Sequence, residues 1–373
     1  MNAVPGMGQP LPGTGSSYNA SRRKFLKGVG LAAAAGLAAP LLTSTSAHAA
    51  VEGIVLGVNA GPWDPAPPTE SWPSAVPGAL GCRSYRDTPF STGPDCPTAF
   101  PGEAGSKAVA SIRPDPTVLL NPADPNYDGL VQALQALILD GATKASTGYF
   151  AAPELTVWHE AGNMYTDQST YLQYGVVPGT YTTINGTSLS AAQIMRSTHV
   201  QMQSLCDQVA SANPGLPAVK YGCIIYGDIA QMASDTDSTL DWVPTSSYPL
   251  DWYGVDVYYE GDGPGSTSTH PDLSSYDLVS QYMGGFLTMA QERSGLTWPQ
   301  INVCECNADA ADDSARPQFF ENLALWLYNN GGRRMLTFFP DTAGPHSVTW
   351  EYVVDAAVPY TINALNSIQS NYG

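Results

Sequence analysis

Two glutamates close apolar runs, where a carboxylate is costly and therefore informative. Glu160 ends the run Leu155–Glu160 as Trp158-His159-Glu160, and Glu305 ends Ile301–Glu305 within Cys304-Glu305-Cys306-Asn307. An unmatched charge in such a place costs several kcal/mol. Together the two carboxyl groups suit cleavage of glycosidic bonds. One protonates a leaving oxygen, and the other attacks or activates water. Strand alternation places Glu160 on the face of Trp158 and Thr156. By the same rule Val303 and Glu305 share a face, with Cys304 and Cys306 on the other.

Other chemistries find less support. No Gly-x-Ser-x-Gly elbow occurs, and His159 lacks a serine partner with that context, which argues against a serine hydrolase. No Cys-His cluster has metal-ligand spacing, so neither a metal nor a cofactor is expected. Arg113 and Asp115, after a third strand, fit a loop salt bridge better than a substrate subsite. Asp256 shares a face with Tyr258 in Tyr253-Gly254-Val255-Asp256-Val257-Tyr258, placed either to bind a sugar hydroxyl or to fix an arginine.

These residues need a scaffold of parallel strands. Short β-rich runs at Gly53–Asn59, Gly81–Tyr85, Ala108–Arg113, Leu155–Glu160, Val219–Tyr226, Trp252–Tyr258, Ile301–Glu305 and Met335–Phe339 alternate with helical patterns. Leu130-Val131-Leu134-Leu137-Ile138 keeps a helical apolar stripe, as does Ile194-Met195-His199-Met202-Leu205. A third stripe, Phe319-Phe320-Leu323-Leu325-Trp326, ends at Asn329-Asn330-Gly331-Gly332. Eight such units predict a closed (β/α)₈ barrel, a TIM barrel. The runner-up, a doubly wound open sheet, usually shows a Gly-rich phosphate loop that is missing here. Long connections at Ala60–Leu80, Ala161–Ser190 and Tyr259–Ser275 follow strands and would wall the carboxyl-terminal face, where barrels build their sites. Their rings, including Trp63, Trp72, Tyr165, Tyr171, Tyr174 and Tyr181, suit sugar faces or simply pack the loops.

The chain divides at residue 49. Ser21-Arg22-Arg23-Lys24-Phe25-Leu26-Lys27, the apolar run Val29 to Leu42 and Ala47-His48-Ala49 read as a cleaved twin-arginine signal peptide. That run is too short to span a membrane. Residues 1–49 are therefore expected to leave with the export machinery, and 50–373 to act outside the cell as a single barrel domain. Such a domain of about 320 residues is ordinary for this architecture. Removing the signal takes away four basic residues and no acid, which moves the net charge from −18 to −22. An acidic surface disfavours nucleic acid and anionic lipid as partners and leaves neutral polysaccharide or oligosaccharide open. Six cysteines in an exported chain allow disulfides. Cys82 and Cys96, which bracket one loop, are the best pair, and the other four read as buried thiols.

The strand-end motifs resemble clan A glycoside hydrolases, which are (β/α)₈ barrels with an acid/base Glu after strand four and a nucleophilic Glu after strand seven. The His159-Glu160 pair most resembles the mannanase-like family 26, and the likeness spans roughly residues 53–345. It implies Glu160 as acid/base and Glu305 as nucleophile, and a strand-six tyrosine, here Tyr258, bonded to the nucleophile. It also implies an arginine closing strand two, either Arg83 or Arg86, that holds the nucleophile ionised. Trp158 would help cover Glu160, and His159 would orient a substrate hydroxyl. The chain departs from the pattern after strand eight, where Phe338-Phe339-Pro340-Asp341 stands in place of the usual Trp. The aromatic-rich segment after the acid/base is replaced by Ala161-Gly162-Asn163-Met164-Tyr165. Those departures keep open a carbohydrate-binding barrel without catalysis.

Overall fold

Lys107–Ile112 reads KAVASI, and every residue after the lysine is buried. A strand packed on both faces has that character, and it is the mark of parallel sheets covered by helices. In the computed structural model, which describes residues 54–62, 81–86, 88–102, 105–159, 180–226, 242–259, 273–308, 315–332, 334–338 and 358–372, eight such strands close into a barrel. In chain order the strands are β1 (Val55–Pro62), β2 (Gly81–Tyr85), β3 (Lys107–Ile112), β4 (Ala151–Val157), β5 (Tyr181–Ile184), β6 (Thr187–Ser190), β7 (Lys220–Tyr226), β8 (Trp252–Tyr259), β9 (Ile301–Ala308) and β10 (Arg334–Phe338). The barrel wall runs β1-β10-β9-β8-β7-β4-β3-β2. Each neighbour pairs parallel, and β10 closes onto β1 from Val55↔Arg334 to Asn59↔Phe338. This is the (β/α)₈ architecture that the alternating pattern predicts.

The described helices are α1 (Pro116–Leu119), α2 (Tyr127–Ser146), α3 (Ala191–Ala212), α4 (Tyr276–Ser294), α5 (Ala315–Asn329) and α6 (Val358–Tyr372). Their apolar stripes meet the outward strand residues in one core. Leu130, Leu134, Leu137 and Ile138 of α2 join Ala108, Ala110 and Ile112 of β3 and Leu155 and Val157 of β4. In α5 the stripe includes Leu327, whereas Leu325 is only partly buried. Local chemistry sets the helix ends. Ser190 and Gln193 form a reciprocal capping box at α3, and Gly295 ends α4 at φ 69°.

The long connection Ala161–Ser190 ends in structure of its own. β5 and β6 form an antiparallel hairpin across Asn185-Gly186, both at positive φ, a turn chemistry that favours this pair of residues. Tyr181 there is 73% exposed. The other loop aromatics named above, the remainder of that connection and residues 1–49 lie outside the described residues.

Inside the barrel, polar groups occupy the end where the strands begin. Arg334 pairs with Glu154 at 2.8 Å, and Asn302 and Gln300 donate to the same carboxylate at 3.0 and 3.1 Å. The guanidinium also donates to the carbonyls of Lys107 and Ala152. Burial pushes the Glu154 carboxyl above its usual range, against the pull of Arg334. Ile224, Trp252 and Cys304 form a separate apolar cluster. Gly222 faces Trp252 in register, and a Cβ on it would meet the indole at 2.1 Å, so only glycine admits that ring.

Two expectations are corrected. Cys96 is a free, buried thiol rather than half of a disulfide with Cys82, and burial pushes it up to about 12. The fourth barrel strand stops at Val157 instead of Glu160, because Trp158 takes φ 49°, a left-handed conformation that a bulky side chain rarely adopts.

Candidate active site

A bulge in β9 aims Glu305. Pairing with β8 runs Val255↔Val303 and then Asp256↔Glu305, so β9 carries one extra residue at Cys304. Cys304 packs inside the barrel with Ile224 and Trp252, not on the outer face that simple alternation gives it. The extra residue then lets its successor, Glu305, also turn inward. Bulges often re-aim a side chain in this way beside functional sites.

Both oxygens of Glu305 are engaged. Arg83 of β2 donates from Nη1 to Oε1 at 2.7 Å, and the Tyr258 hydroxyl donates to Oε2 at 2.5 Å. These are contacts that an ionised carboxylate accepts, and charge assistance makes them strong ones. Glu305 keeps 8% of its surface exposed, whereas Arg83 is fully buried. β1 and β10 separate β2 from β9 in the wall, so the arginine reaches its partner through the barrel interior. The same Nη1 lies 3.9 Å from Asp256 Oδ1 and 3.4 Å from the Cys304 carbonyl. Asp256, on the opposite strand β8, is 1% exposed. Of the two roles open to it, burial against Arg83 favours fixing the arginine.

Arg86 does not share this role. Its guanidinium lies over Phe90, 5.9 Å from the ring centroid, and its backbone N–H donates to the Ser111 carbonyl. Of the two arginines open from the sequence, Arg83 therefore contacts Glu305. Phe338 pairs through its backbone with Asn59 at the end of β10, and its side chain lies outside the described residues.

The β4 end is built differently. Trp158 is buried, and its indole N–H donates to the Pro114 carbonyl at 2.6 Å. Arg113 lies over the same ring at 5.9 Å. A ring so enclosed serves as packing under the strand end rather than as a surface for a sugar. Its unusual φ stores strain of about 1–3 kcal/mol, which the indole hydrogen bond helps to hold. His159 follows, partly buried, with Nδ1 3.2 Å from Ser111 Oγ. Burial, and then the charges of Arg83 and Arg113, push its pKa well below the ordinary value, so the ring is neutral. Glu160, the next residue, lies outside the described residues. Asp115 caps α1 instead of forming a loop salt bridge, accepting from Thr117 N and Oγ1 and from Val118 N. Burial raises its pKa against those bonds.

Ser111 is the participant that sequence reading passes over. The signal was present as a lone hydroxyl alternating with Val109 in an apolar strand. Among the described residues no cluster of three or more acidic, histidine or cysteine side chains is placed to hold a metal ion.

No protein-family model matches this chain, and no curated protein sequence does. Solved structures with a similar chain path include the Bacillus subtilis mannanase man26, at 13% identity and TM-score 0.45, covering 85% of each chain. A double mutant of the Cellulomonas fimi endo-beta-1,4-mannanase matches at 13% identity and TM-score 0.46, over 86% of this chain and 71% of that one. A GH5 endo-beta-1,4-glucanase from Bacillus licheniformis matches at 9% identity and TM-score 0.46, over 85% and 60%. The barrel assignment rests on the strand pairing described above.

Proposed function

We propose that this chain is an exported glycoside hydrolase that cleaves O-glycosidic bonds in a neutral polysaccharide or oligosaccharide with Glu305 as nucleophile and Glu160 as acid/base. The observation that carries this reading is the grip of Arg83 and Tyr258 on the two oxygens of Glu305, at the carboxyl-terminal part of a barrel strand. A carboxylate gripped by a guanidinium on one oxygen and a hydroxyl on the other is fixed in direction, as attack on an anomeric carbon requires. Asp256 shares the charge of Arg83, which leaves electron density on Glu305 for bond formation. As the ester forms, Glu305 loses its charge, and the Arg83–Asp256 pair remains balanced in the barrel.

Glu160 enters from sequence alone, as the residue that follows His159 in the chain. In this reading it protonates the leaving oxygen and then deprotonates the water that cleaves the glycosyl-enzyme, so configuration is retained. Residues 21–49 act as a twin-arginine signal and leave the barrel outside the cytoplasm. Incubating residues 50–373 with an array of chromogenic polysaccharides tests the reading. Hydrolysis that disappears in Glu305→Gln supports it. Retention of a polysaccharide without turnover would instead favour a carbohydrate-binding barrel.

A further inference from the structure

We propose that Ser111 is a positioning residue that fixes His159 in its Nε2–H tautomer, so that the imidazole acts as a hydrogen-bond donor and not as a proton-transfer group. The proposal takes the active site above as its setting and adds a residue and a protonation state to it.

Ser111 is 1% exposed at the penultimate position of β3, and its Oγ lies 3.2 Å from His159 Nδ1. A buried hydroxyl must place its proton on an acceptor or pay a desolvation cost comparable to a lost hydrogen bond. Nδ1 is the partner recorded for this Oγ among the described residues. If Nδ1 carried the ring proton and donated it to Ser111, the serine proton would be left buried against nothing. Serine therefore donates, and Nδ1 offers its lone pair. A neutral imidazole has one proton, which then resides on Nε2.

The surroundings oppose the alternative of an imidazolium. Arg83 and Arg113 both act on the ring, and burial removes the water that would solvate a second charge. In the Nε2–H state the ring can donate to an oxygen, such as a sugar hydroxyl, without exchanging protons near Glu160. A serine nucleophile activated by this histidine is disfavoured by the same facts. The ring is a weak base there, and the hydroxyl is closed to substrate by burial.

Long-range proton–nitrogen NMR spectra of the full chain, labelled at histidine nitrogens, read the tautomer directly. The His159 signals are assigned by their loss in His159→Gln. Near neutral pH the wild-type proton is expected on Nε2. In Ser111→Ala it should spread over both nitrogens, and Ser111→Thr, which keeps the hydroxyl, should restore the wild-type pattern. On a hydrolysed polysaccharide, kcat/KM of Ser111→Ala should fall about tenfold and recover in Ser111→Thr, the loss expected for one misplaced hydrogen bond. A wild-type ring protonated on Nδ1 overturns the proposal whether or not the Ser111 variants fold. So does a Ser111→Ala protein whose tautomer or kcat/KM is unchanged, or covalent capture of Ser111 by a fluorophosphonate. If the chain hydrolyses no polysaccharide, the proposed function fails, and the spectra still decide the role of Ser111.

Discussion

Arg83 Nη1 stands 2.7 Å from Glu305 Oε1, although two other strands separate their own strands in the barrel wall. The contact thus ties opposite parts of the barrel at the level where the chemistry is proposed. It also ties stability to the proposed chemistry, because the same guanidinium lies beside Asp256.

Arg83→Met should therefore do two kinds of damage. It removes the cation that Glu305 and Asp256 share, and breaking a buried pair from one side costs about 3–5 kcal/mol. Denaturant unfolding should show that loss. In Arg83→Met with Asp256→Asn, part of the stability should return while turnover stays low, because Glu305 still lacks its partner. Equal recovery of stability and turnover would contradict the division of roles between the two carboxylates.

How far the residues themselves reveal this arrangement depends on the range of the forces involved. All eight barrel strands are visible in the sequence because strands buried on both faces are nearly continuous apolar runs between helical stripes. Glu305, Tyr258 and Asp256 are visible because polar groups stand out in such runs. The bulge at Cys304 is not, since one extra residue changes pairing and leaves composition unchanged. The choice between Arg83 and Arg86 was also hidden. Both follow the same apolar context, and only the path across the barrel interior separates them. Trp158 misled because its left-handed backbone ends the strand early, and no residue-type preference signals that for tryptophan. Ser111 is too common a residue to attract notice until its register beside the β4 end is known. The Cys82–Cys96 expectation failed for a related reason, since spacing alone carries no information about burial of Cys96.

The fold should lose stability in mild acid through His199. This ring is 3% exposed, with Nδ1 2.8 Å from the Tyr221 hydroxyl, and burial lowers its pKa from 6.5 to about 4. Below pH 6.5 the unfolded chain binds a proton that the folded chain refuses. The contribution is therefore fully present above about pH 6.5 and is lost progressively as pH falls toward 4. The full loss amounts to about 3 kcal/mol, at about 1.4 kcal/mol per pH unit. His199→Gln keeps a polar partner for Tyr221 and cannot titrate. Its unfolding free energy should fall less steeply than that of the wild type between those pH values. Parallel curves for the two proteins would exclude His199 as the cause.

Export gives an independent prediction. If Arg22-Arg23 is the recognition pair of a twin-arginine signal, exchanging both for lysine should hold the protein in the cytoplasm, since that pathway reads the arginines themselves. The mature N-terminus of the wild type should read Ala50 or Val51 by N-terminal sequencing. Unchanged secretion of the Lys-Lys variant would remove the assignment and leave the barrel chemistry untouched.

The roles of the two glutamates can be separated by kinetics, because the two proposed steps place different demands on them. Glu305→Ala should abolish turnover on every substrate, as no covalent intermediate forms without the nucleophile. Glu160→Ala should spare substrates whose leaving group departs without a proton. Its second step remains slow, because the same residue must later act as base toward water. Azide needs no such base, so it should accelerate Glu160→Ala and give a glycosyl azide of retained configuration. In Glu305→Ala the small anion would instead fill the vacated side of the sugar and attack directly, which gives the inverted azide. Anomeric configuration of the azides, read by proton NMR, distinguishes the two cases. Arg83 and Tyr258 would then face azide in place of the carboxylate, and their positive and hydrogen-bonding edges favour that anion. Rescue of neither variant, with equal losses on good and poor leaving groups, would mean that Glu305 is held by Arg83 and Tyr258 for stability alone.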